Sequence, residues 1–392
     1  MGIFQYFRKT NNATSETPLE VHVDNPMQSF STPFGKIGDG NLSLPYVRAY
    51  GSEPWVRFGN DNLYPQLINQ IYYQSPLNGS IVNYKVNAVI GGGWEINSVN
   101  PTAKDKVDEY TFIKVNKMKK LVRQITKDLI MHGRICILVN ESNGKVKLTR
   151  VGPEKVRNNE MKTLFTLSDD WARSVNIRSI RPHTPGCKGE SMYYFEIDSD
   201  AGQDIYPIPA YSSAMNSAFL DGEMSYLQKS NIVNSIFPSF MVKLAKSFGS
   251  EDEAQQFRDT INKAKGAPAA GRIMTFIANT PEQLPSIEAI PMNGNDKVFD
   301  STLMRVDANI CRAHQIDPLL MGIRVTGGIG GQGNELQVSY TIFEKNVVMP
   351  LRDMLTECVD ELFSIGNLTS TIEINNYQII SEVIVDVTDK KI

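Results

Sequence analysis

Reactive and metal-binding side chains are scarce in this chain: its 392 residues include only 4 cysteines, 4 histidines and 3 tryptophans. Cys136, Cys187, Cys311 and Cys358 stand singly, without the paired spacing of a zinc or redox site or the density of a disulfide framework. Each is expected to act as a small buried hydrophobe. His22, His132, His183 and His314 are equally dispersed, none at ligand spacing with another histidine or a cysteine. His314 falls near the end of a long apolar-periodic segment, where a cationic imidazole would favour the helix dipole. No glycine run ends in Gly-Lys-Ser or Gly-Lys-Thr, so no lysine is set to neutralise nucleotide phosphates. No apolar run is long enough to span a bilayer. Residues 1–9 lack the apolar core and cleavage site of a secretory leader, and position 6 is Tyr where myristoylation prefers Ser or Thr. The expectation is a protein made and used in a cytoplasm, with no catalytic residue, no metal and no cofactor.

Charge of one sign is also lacking. Lys and Arg total 40 against 43 for Asp and Glu, a net charge of -3, and the isoelectric point is near 5.9. A protein that grips nucleic acid by charge usually has a domain isoelectric point above about 9. Contact with DNA, if made, must therefore be loose or confined to a few local residues. The paired acids Asp169-Asp170 and Asp360-Glu361 are expected to be solvated surface charge. What is present, 41% hydrophobic and 21% charged residues, is the composition of a folded protein long enough for two or three compact units.

Residues 1–50 are rich in Asn, Thr, Ser, Pro and Gly with little periodicity and are expected to be an arm. Beyond them, Asn60-Asp61-Asn62 marks a turn, and Leu67, Ile68 and Ile71 lie at helical spacing. Pro76 sits where a helix would begin, with Ile81, Tyr84, Val86 and Val89 among its apolar residues and Gly91-Gly92-Gly93 at its end. A further helix is predicted over 118–131, broken by His132-Gly133. Strands at 135–139 and 146–151 around Ser142-Asn143-Gly144 make a hairpin. Another strand is predicted at 193–197, and an extended segment at 205–209.

A long helix follows over 210–237, stopped by Pro238. The span 238–295 reads as a small αβ module. It has strands at 240–245, 272–277 and 287–290, and a helix opened by the capping box Ser250 to Glu253 and carrying Phe257, Ile261 and Ala264. A second long helix carries Phe299, Leu303, Val306 and Ile310 in a narrow stripe suited to one neighbouring helix. Asp317-Pro318 is predicted to end it.

The segment after this stop is crowded with Gly327, Gly328, Gly330, Gly331 and Gly333, and Asn334-Glu335 opens another helix that runs into Pro350. Gly328 to Gly333 satisfies G-x-G-x-x-G. A dinucleotide site needs a strand before that motif, and here a helix and Asp317-Pro318-Leu319-Leu320 precede it. Arg324, Thr326, Gln332 and Asn334 place polar ends on the pliant backbone, either as contacts or as a plain surface loop.

The order of these pieces is similar to the portal proteins of long-tailed double-stranded DNA phages, the HK97/SPP1-like portal family, over about residues 55–365. The likeness rests on the series Ala270-Gly271-Arg272, Gln315-Ile316-Asp317-Pro318-Leu319-Leu320-Met321-Gly322, Asn334-Glu335 and Val348-Met349-Pro350. Asn83 to Ile96 and Val151 to Val156 add weaker agreement. The resemblance implies an α+β portal fold: an arm at 1–50, a mixed αβ wing at 51–209, stem helices at 210–237 and 296–318, and a clip at 238–295. A tunnel loop at 319–334 and a long wing helix at 335–366 would follow. Asp317 stands where the family has the first of two prolines, and the 367–392 segment left for the crown implies a reduced one.

The same resemblance implies a closed homo-oligomeric ring, usually a dodecamer, at a capsid vertex of the virion, assembled in the host cytoplasm. Its partners would be sequence-independent double-stranded DNA, the terminase motor, the major capsid protein and a head-tail adaptor, with no membrane. Phe299, Leu303, Val306 and Ile310 would pack the stem. Arg324, Thr326, Gln332 and Asn334 would face the DNA channel, with the glycines as hinges. Two rival readings stay open: a ring-forming connector or tail component without DNA contact, and a nucleotide-binding enzyme using the glycine loop.

Overall fold

The computed structural model describes residues 45, 47–49, 51, 53–98, 101–142, 144–198, 204–234, 240–243, 251–252, 255–256, 259, 286–289, 295–323 and 333–375. They belong to one compact unit, Asn41–Ile392. Residues 1–44 of the expected arm and the 272–277 strand fall outside these residues; the arm's end, Val47–Ala49, is instead a strand, and Glu251, Asp252, Gln255, Gln256 and Asp259 of the expected capped helix are helical.

The sheets of residues 134–196 are built on the run Ile135-Cys136-Ile137-Leu138-Val139, buried along its whole length. Such a run, without alternation, calls for cover on both faces. It lies in β4 (Arg134–Ser142), the central strand between β5 (Lys145–Val151) and β9 (Gly189–Glu196), antiparallel to both. Helices α3 (Ala103–Asn116) and α4 (Met118–His132) pack on this sheet. Cys136, Leu138 and Met192 instead form one core with Val156, Phe165, Leu167 and Ile180. Those last residues come from a second antiparallel sheet of β6 (Val156–Asn158), β7 (Phe165–Leu167) and β8 (Arg178–Ile180). Edge strand β5 is closed by Asn116: its amide donates to the Val146 carbonyl at 3.3 Å and accepts from the Leu148 amide at 2.8 Å, standing in for a neighbouring strand.

Two fully buried arginines fasten the second sheet to what surrounds it. Arg157 donates to the Val156 carbonyl at 2.9 Å and to Asn62 Oδ1 at 2.7 Å, and its guanidinium lies 4.8 Å from the Trp171 ring centre. Arg134 donates to the Pro153 carbonyl at 2.8 Å and lies over the stacked rings of Phe58 and Tyr206. Planar guanidinium groups suit such sites because carbonyls take their donors while aromatic faces take the charge.

Helix α1 (Tyr64–Gln74) meets α2 (Pro76–Ile90) and α5 (Met215–Asn234) at one glycine each. A Cβ on Gly79 would come within 2.6 Å of the Tyr72 carbonyl oxygen, and one on Gly222 within 3.0 Å of the Gln74 Cβ. The last turn of α1 is thus held between two helices that approach to backbone distance. Strands β10 (Phe240–Lys243) and β11 (Ser286–Ala289) form an antiparallel pair between α5 and α6 (Asn295–Ala313). After α6 come α7 (Gly333–Phe343), a π-helical turn Glu344–Val348 and α8 (Met349–Ile365). The chain then returns to its first half as β12 (Thr371–Ile374), antiparallel to β3 (Trp94–Asn97). The short strands β1 (Val47–Ala49) and β2 (Val56–Phe58) complete the described sheets.

Several sequence expectations need correction. The helix predicted from 210 begins as a 3-10 turn at Ser212–Ala214 and becomes α5 only at Met215. Helix α3 was not foreseen because it buries only Glu109, Phe112 and Asn116, too few for an apolar stripe. Its start was signalled instead by the capping box Thr102 with Asp105. Cys136, Cys311 and Cys358 are buried as expected, but Cys187 is only half-buried, in a turn where its amide donates to the Thr184 carbonyl.

Gly79→Ala should lower the denaturant midpoint. Alanine contributes about 0.8–1.0 kcal/mol of helix propensity, while overpacking costs about 1–3 kcal/mol, and a backbone oxygen at this distance cannot swing aside. A variant more stable than wild type would show that α1 and α2 do not touch here.

Candidate functional site

The glycine-rich segment begins from a footing that can be built residue by residue. Helix α6 ends at Ala313, earlier than Asp317-Pro318 suggested, because Gln315 takes a left-handed conformation (φ 53°). The Gln315 amide donates to the Arg312 carbonyl and the Ile316 amide to the Cys311 carbonyl. This is a Schellman closure, completed by the buried pair Ile316 and Cys311. Asp317 has a different task. Its carboxylate accepts from the Leu319 amide at 2.9 Å, capping the 3-10 turn Pro318–Met321, and from Ser339 Oγ at 2.7 Å. Ser339 lies in α7, so this side chain ties the departing end of the segment to the returning one. Gly322 (φ 76°) closes the short turn, its amide donating to the Leu319 carbonyl.

The helices around this footing, α5, α6 and α8, rest on α2. Ser75 caps α2 by accepting from the Asn78 amide at 3.1 Å, and donates its own hydroxyl to Asp221 of α5 at 2.6 Å. Asp221 also accepts from the Leu77 amide at 3.3 Å, so a carboxylate sits at the positive end of the helix dipole. At the other end, the buried Arg352 of α8 donates to the Ala88 carbonyl at 2.9 Å and the Val89 carbonyl at 3.2 Å. Between these ends Asn78 meets His314 Nε2 at 2.9 Å, and the imidazole stacks on Tyr211, ring centres 4.4 Å apart.

His314 is not the cationic helix-end residue that its position suggested. Burial first, and the positive charge of Lys85 second, hold its pKa well below the ordinary 6.5. Lys85, itself buried in α2, is pushed down to about 8 by desolvation. A positive imidazole here would face a cation with little water to screen it.

Of the residues singled out from sequence, Arg324, Thr326, Gly327, Gly328, Gly330, Gly331 and Gln332 lie outside the described residues. Gly333 is the first residue of α7 and Asn334 the second. In α6, Val306 and Ile310 are buried and Leu303 is half-buried. That helix packs on α5, α2 and the 212–214 turn; Phe299 lies in the same helix. Asp221, Asn78, Lys85, Arg352 and Ser339 were not singled out, since their partners lie far along the chain. Ser75-Pro76 was the one local signal of this junction. Among the described residues, no His, Cys, Asp and Glu cluster could hold a metal ion, and no helix is long and apolar enough to cross a membrane.

No protein-family model matches the chain. A probable portal protein of Escherichia phage P2 is 23% identical over 163 residues, 41% of this chain and 46% of that relative. The chain thus spans less than half the length of this curated relative. Its fold is similar to a chain in the neck of an empty gene transfer agent (GTA) particle computed with C6 symmetry, with a TM-score of 0.54, 13% identity, and coverage of 79% of this chain and 83% of the other. The neck of a native GTA particle computed with C12 symmetry gives a TM-score of 0.53 at 12% identity, with the same coverage. The portal resemblance and the mixed α+β portal fold are thereby borne out.

Acidification should expose the state of His314. An unfolded chain takes up a proton at this histidine as the pH drops below about 6.5, whereas the folded protein refuses it, so stability falls. Between about pH 7 and pH 5 the Tm of wild type should drop more than that of His314→Gln, by thermal denaturation at matched ionic strength. Equal drops would show that His314 titrates alike in both states.

Proposed function

We propose that the chain is the subunit of a portal ring at a capsid vertex, where it forms the channel for genome packaging and ejection and the docking site for packaging motor, capsid and head-tail adaptor. The observation that carries this reading is the footing of the glycine-rich segment. Asp317 and Ser339 clamp its two ends together, while α6 and α8, on either side, are anchored on α2. A glycine-rich segment on a fixed base suits contact with something that moves past it. The likeness to a probable phage portal protein and to chains of ring-symmetric necks supports the assignment. The C12 symmetry of one of those necks agrees with twelve copies. A ring of identical subunits needs a head-to-tail interface that closes by rotation.

In this reading residues 319–334 project toward the axis and touch DNA phosphates without regard to sequence. Arg324 supplies the charge, Thr326, Gln332 and Asn334 supply hydrogen bonds, and the glycines let the backbone follow the advancing duplex. The charge balance supports transit rather than capture. Double-stranded DNA carries one charge about every 1.7 Å of its axis, so a strongly basic wall would hold it fast. A chain of net charge -3 offers a wall on which DNA can slide. The subunit acts as a structural part and not as a catalyst.

Arg324→Ala, or removal of Gly330-Gly331, should leave ring assembly intact by electron microscopy while shortening or destabilising the packaged genome. Loss of the ring with normal solubility would overturn the loop assignment. Unchanged genome length and retention would favour a connector without DNA contact.

A further inference from the structure

Helices α4 and α8 carry rows of like charge with matching spacing and opposite sign. On α8, Asp353, Glu357 and Glu361 follow one another at intervals of four and are all exposed. On α4, Lys119, Arg123 and Lys127 have the same spacing, the first two exposed and the third half-buried. Residues four apart on a helix are neighbours, and like charges there destabilise it. Each row is therefore unfavourable in an isolated subunit.

Among the described residues neither row is neutralised by an opposite charge. Among the described residues no ion pair engages Asp353, Glu357, Lys119 or Arg123; Arg123 donates only to the neutral Asn87 Oδ1, at 2.9 Å. The third member of each row is held internally, Glu361 by the Tyr193 hydroxyl at 2.6 Å and Lys127 over the Tyr72 ring at 4.0 Å. Each row thus keeps two outward charges on a well-fixed helix. Exposed apolar side chains accompany both. Val338 and Ile342 in α7 and Met349 in α8 are 56%, 56% and 46% exposed, and Val107, Tyr110 and Val115 in α3, just before the basic row, are 62%, 65% and 56% exposed.

We infer that these are the two halves of one head-to-tail interface, the acidic row of one copy of this chain docking against the basic row of the next. The inference rests on the ring reading above and assigns the surfaces that close the ring. Two different patches of one subunit with complementary charge suit a heterologous contact. The occupant is a second copy because both the charge and its complement are supplied by this chain, with the same eight-residue span of about 12 Å at 1.5 Å per residue.

The test uses the full chain. Asp353→Lys with Glu357→Lys, and separately Lys119→Glu with Arg123→Glu, should each raise the concentration needed for ring formation on the order of tenfold, measured by mass photometry. Circular dichroism melts check that these surface variants fold. Mixing the two variants, or combining all four changes in one chain, should restore rings, because the charges again oppose. Wild-type rings should loosen as salt is raised toward about 1 M, where the screening length falls to about 3 Å. If both double variants form rings like wild type, this interface is wrong while the ring reading stands. If folded wild type forms no ring at any concentration, both fall. If the basic-row variant keeps its ring but loses affinity for duplex DNA, the row is a nucleic-acid surface and the inference is overturned.

Discussion

Helix α2 buries 8 of its 15 residues and cannot be seated unless its ends are answered, and the rest of the architecture follows from how that is done. A buried helix leaves amides at one end and carbonyls at the other without partners, and an unsatisfied buried polar group costs about 1–3 kcal/mol. Here Ser75 and Asp221 answer the amino end and Arg352 the carboxyl end. Asp221 belongs to the helix leading into the 238–295 region, and Arg352 to the helix returning from the glycine-rich segment. Satisfying one helix therefore fixes the placement of α5 and α8. His314, bonded to Asn78 on the same helix, fixes the end of α6. Three distant stretches of chain are tied to a single element by groups that cannot be released cheaply.

The helices were legible in the sequence where a periodic apolar stripe met punctuation. Pro76 and the glycines at 91–93 bracket α2, and Gly133 (φ 68°) ends α4 in the left-handed conformation that glycine favours. The buried strand β4 was equally plain as an apolar run. Signals failed where burial was slight or partners remote. Strands β6, β7 and β8, three residues each, are too short for alternation to register. Strand β12 is defined by pairing with β3, more than 270 positions earlier in the chain. The end of α6 misled for another reason. Proline is a strong stop, but Gln315 adopted a left-handed conformation first and left Asp317 free to cap the next turn.

The candidate site was visible as composition and hidden as geometry. A cluster of glycines between two helices announces a pliant segment, yet nothing local reveals that Asp317 will reach Ser339 in the helix beyond it. Asp317 is the residue that departs from the portal pattern read in the sequence. In the structure the departure has a physical use, since a proline there could neither cap the Pro318–Met321 turn nor accept from Ser339. His314 shows the same limit in reverse. Its position near a helix end pointed to a cation, and its burial beside Lys85 makes it neutral.

The long helix beyond the segment must pass a proline without losing its footing. Pro350 has no amide to donate, and its ring would press on the carbonyl four residues earlier in a regular α-helix. The π-helical turn Glu344–Val348 precedes it, and the Met349 amide reaches back five residues to the Glu344 carbonyl. The wider turn places Val347 and Val348 both in the interior and packs against α2. Because the turn lies between Ser339 and Arg352, the irregularity sets the angular offset between the residue that clamps the glycine-rich segment and the residue that closes α2. A shift of one residue turns a helix by about 100°, since each turn takes 3.6 residues. Ser339 and Arg352 can therefore meet their separate partners at once only if the extra residue is retained, which makes the π-turn part of the site's geometry and not a defect in the helix.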